Sequence, residues 1–323
     1  MTSQYPGIDA LPFLTETFLA QLPISTADMV SEIERQITGQ RHGEVWCAPK
    51  AAVWPGDDRY IMATLGIASE PRIVACKALV LNPRNAGRGL PTINSLITLQ
   101  DGETGLPIAV LDGNWVTAKR TAGLSAVAAR RLARADSATV AFIGCGVQAR
   151  GHLQAFADLF PLREVRAFGR GSKNRDALCE LARSRGLSAI PSASAKDAID
   201  GADIIVTTLN LVPEPVPFLD GRWLKAGSFT TMTDLALPWL PDTMSSFDRI
   251  IIDDLEQEAK MAKSMVNPDL VAGDLAQLVC GDVPGRQNAA ERLTFAFRGV
   301  AIGDLALAGL AYARAKAMGA LPA

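Results

Sequence analysis

The stretch ATVAFIGCGVQARGHLQAF, residues 138–156, constrains the fold more than any other part of the chain. An apolar run of the kind that forms a buried strand leads directly into Gly144-Cys145-Gly146-Val147-Gln148-Ala149 and then into a helical pattern. This is G-x-G-x-x-A between a strand and a helix. Gly144 permits the tight turn, Gly146 lets a backbone approach a pyrophosphate, and Ala149 keeps helix and strand close. The N–H groups at Val147 and Gln148 begin the helix with its positive dipole end toward an anion. A structural turn without a ligand would satisfy the same pattern, so the context around it matters.

That context is strand–helix alternation: EVRAF, NRDALCELARSRG, LSAIP, AKDAIDGA and DIIVTTL, with further buried-strand candidates at 228–232 and 250–252. Such alternation marks βαβ units in a parallel sheet. A long helix, TAKRTAGLSAVAARRLARA, precedes it from Thr117, and a last helix over 301–318 follows it. Upstream, residues 26–39 carry Met29, Ile33 and Ile37 at a spacing of four, which predicts an amphipathic helix ending at Gly39. Strand candidates then follow at 51–54, 60–65, 73–81, 95–100 and 107–112, separated by Gly, Pro, Asn and Asp turns. The expected fold class is α/β: a Rossmann-type doubly wound parallel sheet domain over 118–301, set into a discontinuous β-rich α+β domain over 1–117 plus 302–323.

At 323 residues, two domains of this size can each bury a core unaided. The 32 Lys plus Arg against 34 Asp plus Glu leave a net charge of −2, without a basic cluster for a phosphate backbone, so nucleic acid is not an expected partner. Asp9 and Glu16 interrupt the N-terminal region where a secretion signal would be apolar, and Asp304, Arg314 and Lys316 interrupt the most apolar late stretch. Neither secretion nor a membrane span is expected. The five cysteines are widely spread without a C-x-x-C pair, which fits a reducing cytoplasm. The two histidines, His42 and His152, give neither a metal cluster nor a Ser-His-Asp arrangement, and each is expected on a surface or helix face.

The cofactor type is addressed by the residues after EVRAF. A site for NAD(H) places an acid there for the ribose 2′-OH, but this chain has Gly169-Arg170-Gly171-Ser172-Lys173. Arg170, Ser172 and Lys173 can donate to a 2′-phosphate, so NADP(H) is favoured and NAD(H) is possible. A solvated basic loop is the alternative.

From Lys77 to Ala149 the motifs occur in an order that resembles the ornithine cyclodeaminase/mu-crystallin family. They are a Lys77-containing strand, Asn82-Pro83, Leu90-Pro91-Thr92, Asp101-x-x-Thr104-Gly105, Leu111-Asp112-Gly113, Thr117-x-x-Arg120-Thr121-Ala122 and the glycine turn. The resemblance covers most of residues 40 to 320. It implies a homodimer formed through the β-rich domain, a nicotinamide cofactor on the Rossmann domain with Thr121 near it, and a small amino or imino acid as substrate. It places Lys77 and Arg120 on the substrate carboxylate. Lys50 falls where the family usually has an arginine, and a lysine offers a point charge instead of a flat fork. The segment LKAGSFTTMTDLALPWL resembles a stretch ending in a G-x-D-x-P-G-K type turn and suggests Asp234 as the catalytic acid. Asp304 matches an acid at the start of the last helix, as a second-tier substrate residue or a cap, and Asp253-Asp254 reads as structural.

The residues support part of this independently. Lys77 is a lone ammonium inside IVACKALVL, costly unless an anion meets it. Arg120 and Lys119 fall in the first turn of a helix capped by Thr117, where the macrodipole disfavours cations. A bound anion would answer both, and so would an internal ion pair. The expected activity is NAD(P)H-dependent reduction of small 2-imino or cyclic ketimine carboxylates. The alternatives are an ornithine cyclodeaminase-type ammonia-lyase with bound NAD, and a non-catalytic NADPH-binding protein like mu-crystallin.

Overall fold

The computed structural model describes residues 11–210 and 215–321; Asp9, used above against a secretion signal, lies outside them, as does the end of the last helical domain segment at 322–323. The chain divides into two compact units, Met1–Arg120 with Val300–Ala323, and Thr121–Gly299. The first contains β1 (Phe13–Leu14), α1 (Glu16–Leu19), α2 (Thr26–Arg41), β2 (Val45–Cys47), β3 (Ala51–Val53), β4 (Tyr60–Ser69), β5 (Arg72–Leu81), β6 (Ile93–Asp101) and β7 (Pro107–Asp112). Helix α3 (Gly113–Leu132) crosses the division between Arg120 and Thr121.

The first unit's sheet has the order β1-β7-β6-β5-β4-β2, with β3 also paired to β4. Only β1 runs parallel to its neighbour; the other pairings are antiparallel. Alternation in β5 decides its faces, since Ile73, Ala75, Lys77 and Leu79 are buried while Ala78 and Val80 are exposed. The outward face stays apolar. Trp46 is 53% exposed, Leu65 47% and Leu96 49%, and they belong to the rows Trp46↔Ile67, Leu65↔Cys76 and Ala78↔Leu96.

Helix α2 is two residues longer than its pattern predicts. Ser25 and Asp28 close a capping box at its start, but Gly39 does not end it. A Cβ at Gly39 would stand 2.9 Å from Val45 Cγ2, so this glycine serves close packing. Helix α3 begins at Gly113 and not near Thr117, because the Asp112 carboxylate accepts from the Trp115 N–H at 2.9 Å and caps the helix a turn early.

The second unit contains β8 (Thr139–Ile143), α4 (Val147–Leu159), β9 (Glu164–Phe168), α5 (Ser172–Ser184), β10 (Ser188–Pro191), α6 (Ala195–Ile199), β11 (Ile204–Thr207), β12 (Phe229–Met232), β13 (Arg249–Ile252), α7 (Leu255–Ala259), β14 (Val271–Asp274), α8 (Leu275–Cys280) and β15 (Leu293–Ala296). Its sheet is parallel throughout, in the order β10-β9-β8-β11-β12-β15-β13-β14. All residues of β11, β12 and β15 are buried, as expected for strands covered on both faces. β14 and β15 escape sequence reading because each is only four residues long, and VAGD carries a glycine and an acid. The order changes direction at β8, the switch point beside which open α/β sheets bind ligands. The chain then returns to the first unit as α9 (Ala301–Ala317), whose small residues allow close contact with β4 and β5. Leu305 fits against Gly66 and Ile73 against Gly309.

Candidate functional site

In the first unit, Lys77 is 1% exposed on the helix-covered face of β5, next to Thr64 across the β4–β5 register. Its Nζ donates to Asp304 Oδ1 at 2.7 Å and lies 2.6 Å from Oδ2. Asp304 is 2% exposed in the first turn of α9, where the helix dipole favours an anion. Thr64 Oγ1 donates to Asp304 Oδ2 at 3.0 Å, and Arg120 Nε stands 3.2 Å from Oδ1. That Nε is buried without a well-directed hydrogen bond. Since α3 starts at Gly113, Arg120 lies well inside the helix, and the expected tension with the dipole at its start does not arise. The anion the sequence calls for is supplied, at least in part, by Asp304.

Burial pulls the Lys77 ammonium down to about 8, against the opposing charge of Asp304, while the cations Arg120 and Lys50 lower it further. Burial alone would raise the Asp304 carboxyl, but the charges of Lys77 and Arg120 and the bonds from Lys77 and Thr64 hold it below the ordinary carboxylate range. Lys50, between β2 and β3, is half-buried. The cluster therefore sets two buried cations against one buried carboxylate, with a third cation acting on it.

In the second unit, Gly144 has φ +93, and a Cβ there would meet the Thr208 carbonyl oxygen at 2.6 Å. Only glycine suits that turn. Gly146 caps α4 without a side-chain hydrogen bond, and a Cβ placed on it would meet nothing within 4 Å. The helix thus opens beside free space at Val147, which is 57% exposed, and Gln148. Gln148 Oε1 is buried without a hydrogen-bond partner, and Ala149 is fully buried. Thr121 is 5% exposed within α3. A cavity of about 210 Å³ lies at the exits of β9, β11 and β12, with Gly169, Arg170, Leu209, Val216, Asp234 and Pro238 in its wall. Arg170 is exposed, and Ser172 and Lys173 are exposed residues that open α5 rather than form a loop. The uncapped helix start and the open approach at Gly146 fit a dinucleotide pyrophosphate.

Asp234 is 1% exposed just past β12. Its Oδ1 accepts from Thr207 Oγ1 at 2.9 Å and its Oδ2 from the Leu209 N–H at 3.1 Å. Burial pushes its carboxyl up to about 6, against those bonds. It stands four residues before Pro238, whereas the acid of a G-x-D-x-P turn stands two before; that position is Ala236, with φ 56. Asp253 accepts from the backbone N–H groups of Arg298 and Gly299, and Asp254 caps α7.

His152, expected on a surface or helix face, lies on the inner face of α4 and is completely buried. Its Nδ1 is 2.8 Å from the Gln148 carbonyl oxygen and its Nε2 2.8 Å from Ser125 Oγ, which lies 2.8 Å from Thr231 Oγ1. Burial drives its pKa down to about 4, so the ring is neutral. With the carbonyl able only to accept, Nδ1 carries the proton and Nε2 accepts from Ser125. The spacing of four from Gln148 was its one sequence signal. Cys145, inside the glycine turn, has its thiol pushed up to about 12 by burial and is not a nucleophile. No group of three metal-ligating side chains exists among the described residues, and none of their helices is long and apolar enough to cross a membrane.

An eight-stranded parallel sheet with a glycine turn at its switch point, in a chain whose other unit is built on a mostly antiparallel sheet, defines a two-part α/β protein of Rossmann type. The chain belongs to the ornithine cyclodeaminase/mu-crystallin family, whose model matches residues 19–319. It is 31% identical to the ketimine reductase mu-crystallin of Rattus norvegicus over 71% of this chain and 72% of that one. Among solved structures it resembles the Thermococcus litoralis Delta(1)-pyrroline-2-carboxylate reductase in complex with NADH and L-proline, with TM-score 0.88 and 25% identity, covering 96% of this chain and 98% of that one. An archaeal alanine dehydrogenase dimer with bound NAD matches with TM-score 0.84 and 26% identity over 97% and 98%.

Replacing Asp304 with Asn leaves Lys77 and Arg120 buried without their counter-charge. Stability is expected to fall by about 3–5 kcal/mol, measured by urea denaturation at neutral pH.

Proposed function

We propose that the protein is an NAD(P)H-dependent reductase of small 2-imino or cyclic ketimine carboxylates. One observation carries this reading: Lys77 and Arg120 share a single buried carboxylate, so the cluster holds uncompensated positive charge where water does not reach it. A small carboxylate supplies the missing charge. Relatives named for reducing pyrroline-2-carboxylate and ketimines point to the same substrate chemistry.

Arg120 offers its planar fork to the substrate carboxylate, and Lys50 adds positive potential. Lys77 contributes charge and, with its ammonium drawn down to about 8, can release a proton near neutral pH to the nitrogen being reduced. The nicotinamide supplies the hydride, which is the cofactor's own chemistry. On this reading Gly144, Gly146 and the α4 N–H groups of Val147 and Gln148 receive the pyrophosphate, and Thr121 and Ala149 support the turn. Arg170, Ser172 and Lys173 face a 2′-phosphate, and no acid occupies residues 169–175 to hold a ribose 2′-OH, which supports NADP(H) over NAD(H). The exposed apolar sheet face with Trp46, Leu65 and Leu96 is the surface for a second copy of the chain, consistent with the dimer in which the archaeal relative is described.

Lys77→Met should lower kcat/KM for a cyclic ketimine carboxylate at least about 100-fold while the Kd for NADPH stays within about threefold. Ammonia release from ornithine without net change in nicotinamide absorbance would instead place the chain with the cyclodeaminases. In the wild type, kcat/KM should decline as pH rises through about 8, because Lys77 loses the proton that both of its roles require. Arg170→Ala should weaken NADPH about tenfold relative to NADH, measured by titration of each. Paired Leu65→Glu and Leu96→Glu changes should shift the protein to monomer in sedimentation equilibrium.

A further inference from the structure

Among the described residues no charged group is a cause of the Asp234 shift, yet it is among the most buried acids of the second unit. Both of its oxygens are engaged, one by the last residue of β11 and one by the residue two positions on. Between those two donors lies Thr208. Its N–H donates to the Ile143 carbonyl at 2.9 Å, and its hydroxyl donates to the Gly144 carbonyl at 3.1 Å. Gly144 is pressed against the Thr208 backbone so closely that even a methyl group is excluded. From the other side, the Thr233 N–H and hydroxyl both donate to the Thr207 carbonyl, at 3.0 and 3.1 Å. The glycine turn therefore rests on Thr208, and Thr208 is held in place by the carboxylate that grips its two neighbours.

The chain also accepts a difficult backbone to put Asp234 there. Leu235 and Ala236 follow it with φ 60 and 56, a left-handed conformation that side chains other than glycine's rarely adopt. Bonds from Leu237 N–H to the Asp234 carbonyl and from Trp239 N–H to the Ala236 carbonyl close the turn.

We propose that Asp234 is a positioning residue for the dinucleotide turn, acting through Thr207, Thr208 and Leu209 on Gly144. This rests on the reading of that turn as a dinucleotide site. It replaces the sequence expectation that Asp234 is the acid that protonates the substrate. The carboxylate's hydrogen-bond donors, Thr207 and Leu209, are both uncharged, and Arg170 is the other charged residue in the wall of the same cavity among the described residues. The ionised form accepts from both donors, and a proton on one oxygen turns an acceptor into a donor. Burial raises the carboxyl to about 6, so at pH 7.5 it is ionised and accepts from both donors.

The test is the Kd for NADPH, measured by calorimetry on the full-length protein without substrate. Asp234→Ala should weaken binding at least about tenfold at pH 7.5, and Asp234→Asn should recover most of that loss, since the amide can accept from Leu209 N–H and donate to a rotated Thr207 hydroxyl. Thr207→Val, nearly isosteric and so expected to fold, should weaken binding by itself and add little to Asp234→Ala. Unchanged affinity in both Asp234→Ala and Thr207→Val, with turnover lost only in the former, would return Asp234 to the proton step and overturn the proposal. A wild type that binds neither NADPH nor NADH would overturn the dinucleotide reading itself, which is a different failure from equal affinity across the variants.

Discussion

Removing an ion from water costs several kcal/mol even after the protein relaxes around it, and the first unit does this for Lys77, Arg120 and Asp304 at once. The cost is tolerable only because the three arrive at one point from three elements, β5, α3 and α9, with Thr64 of β4 adding a hydroxyl. The order of the chain follows from that requirement. Helix α9 must come back after the whole second unit to bring its acid to the sheet, and its small residues let it lie close enough to do so. What remains after the ion pairs form is two buried cations on one buried carboxylate, the excess charge on which the proposed function rests.

The same accounting of buried polar groups organises the second unit with no net charge. Its central strands are apolar on both faces, except that β12 carries Thr230 and Thr231 and its neighbours carry Thr207 and Thr294. Thr207 donates to the Asp234 carboxylate, Thr294 to the Thr230 carbonyl, and Thr231 pairs with Ser125, while the Thr230 hydroxyl has no hydrogen-bond partner among the described residues, so the region beneath the glycine turn is held by direction-dependent bonds as well as by packing. Burial shifts both Asp234 and His152 toward the uncharged form, but they differ in kind. The imidazole is satisfied when neutral, whereas the carboxyl is best satisfied when ionised.

Period and turn chemistry made the architecture legible. The uninterrupted apolar run before Gly144 and the strand–helix alternation after it identified the parallel sheet, and the alternation in IVACKALVL gave β5 its register. Boundaries failed where one side chain decided them. Asp112 starts α3 a turn early, and Gly39 looks like a stop but fills a tight contact. At the candidate site, the peculiarity of Lys77 was visible as an ammonium in an apolar strand. Its partner was not, because Asp304 is 227 residues away and nothing local joins the two. The burial of His152 was missed for the same reason: its partners come from α3 and β12, which periodicity cannot bring together in space.

The hydrogen-bonded line from the Gln148 carbonyl through His152 and Ser125 to Thr231 acts as a rivet through α4, α3 and β12. Rolling or sliding α4 by one residue would strand three polar groups where water cannot rescue them. The exposed residues at Arg170, Ser172 and Lys173 belong to a different element and touch none of this line. Under the proposed function, substitutions at these surface residues would change coenzyme preference without disturbing the line beneath the glycine turn.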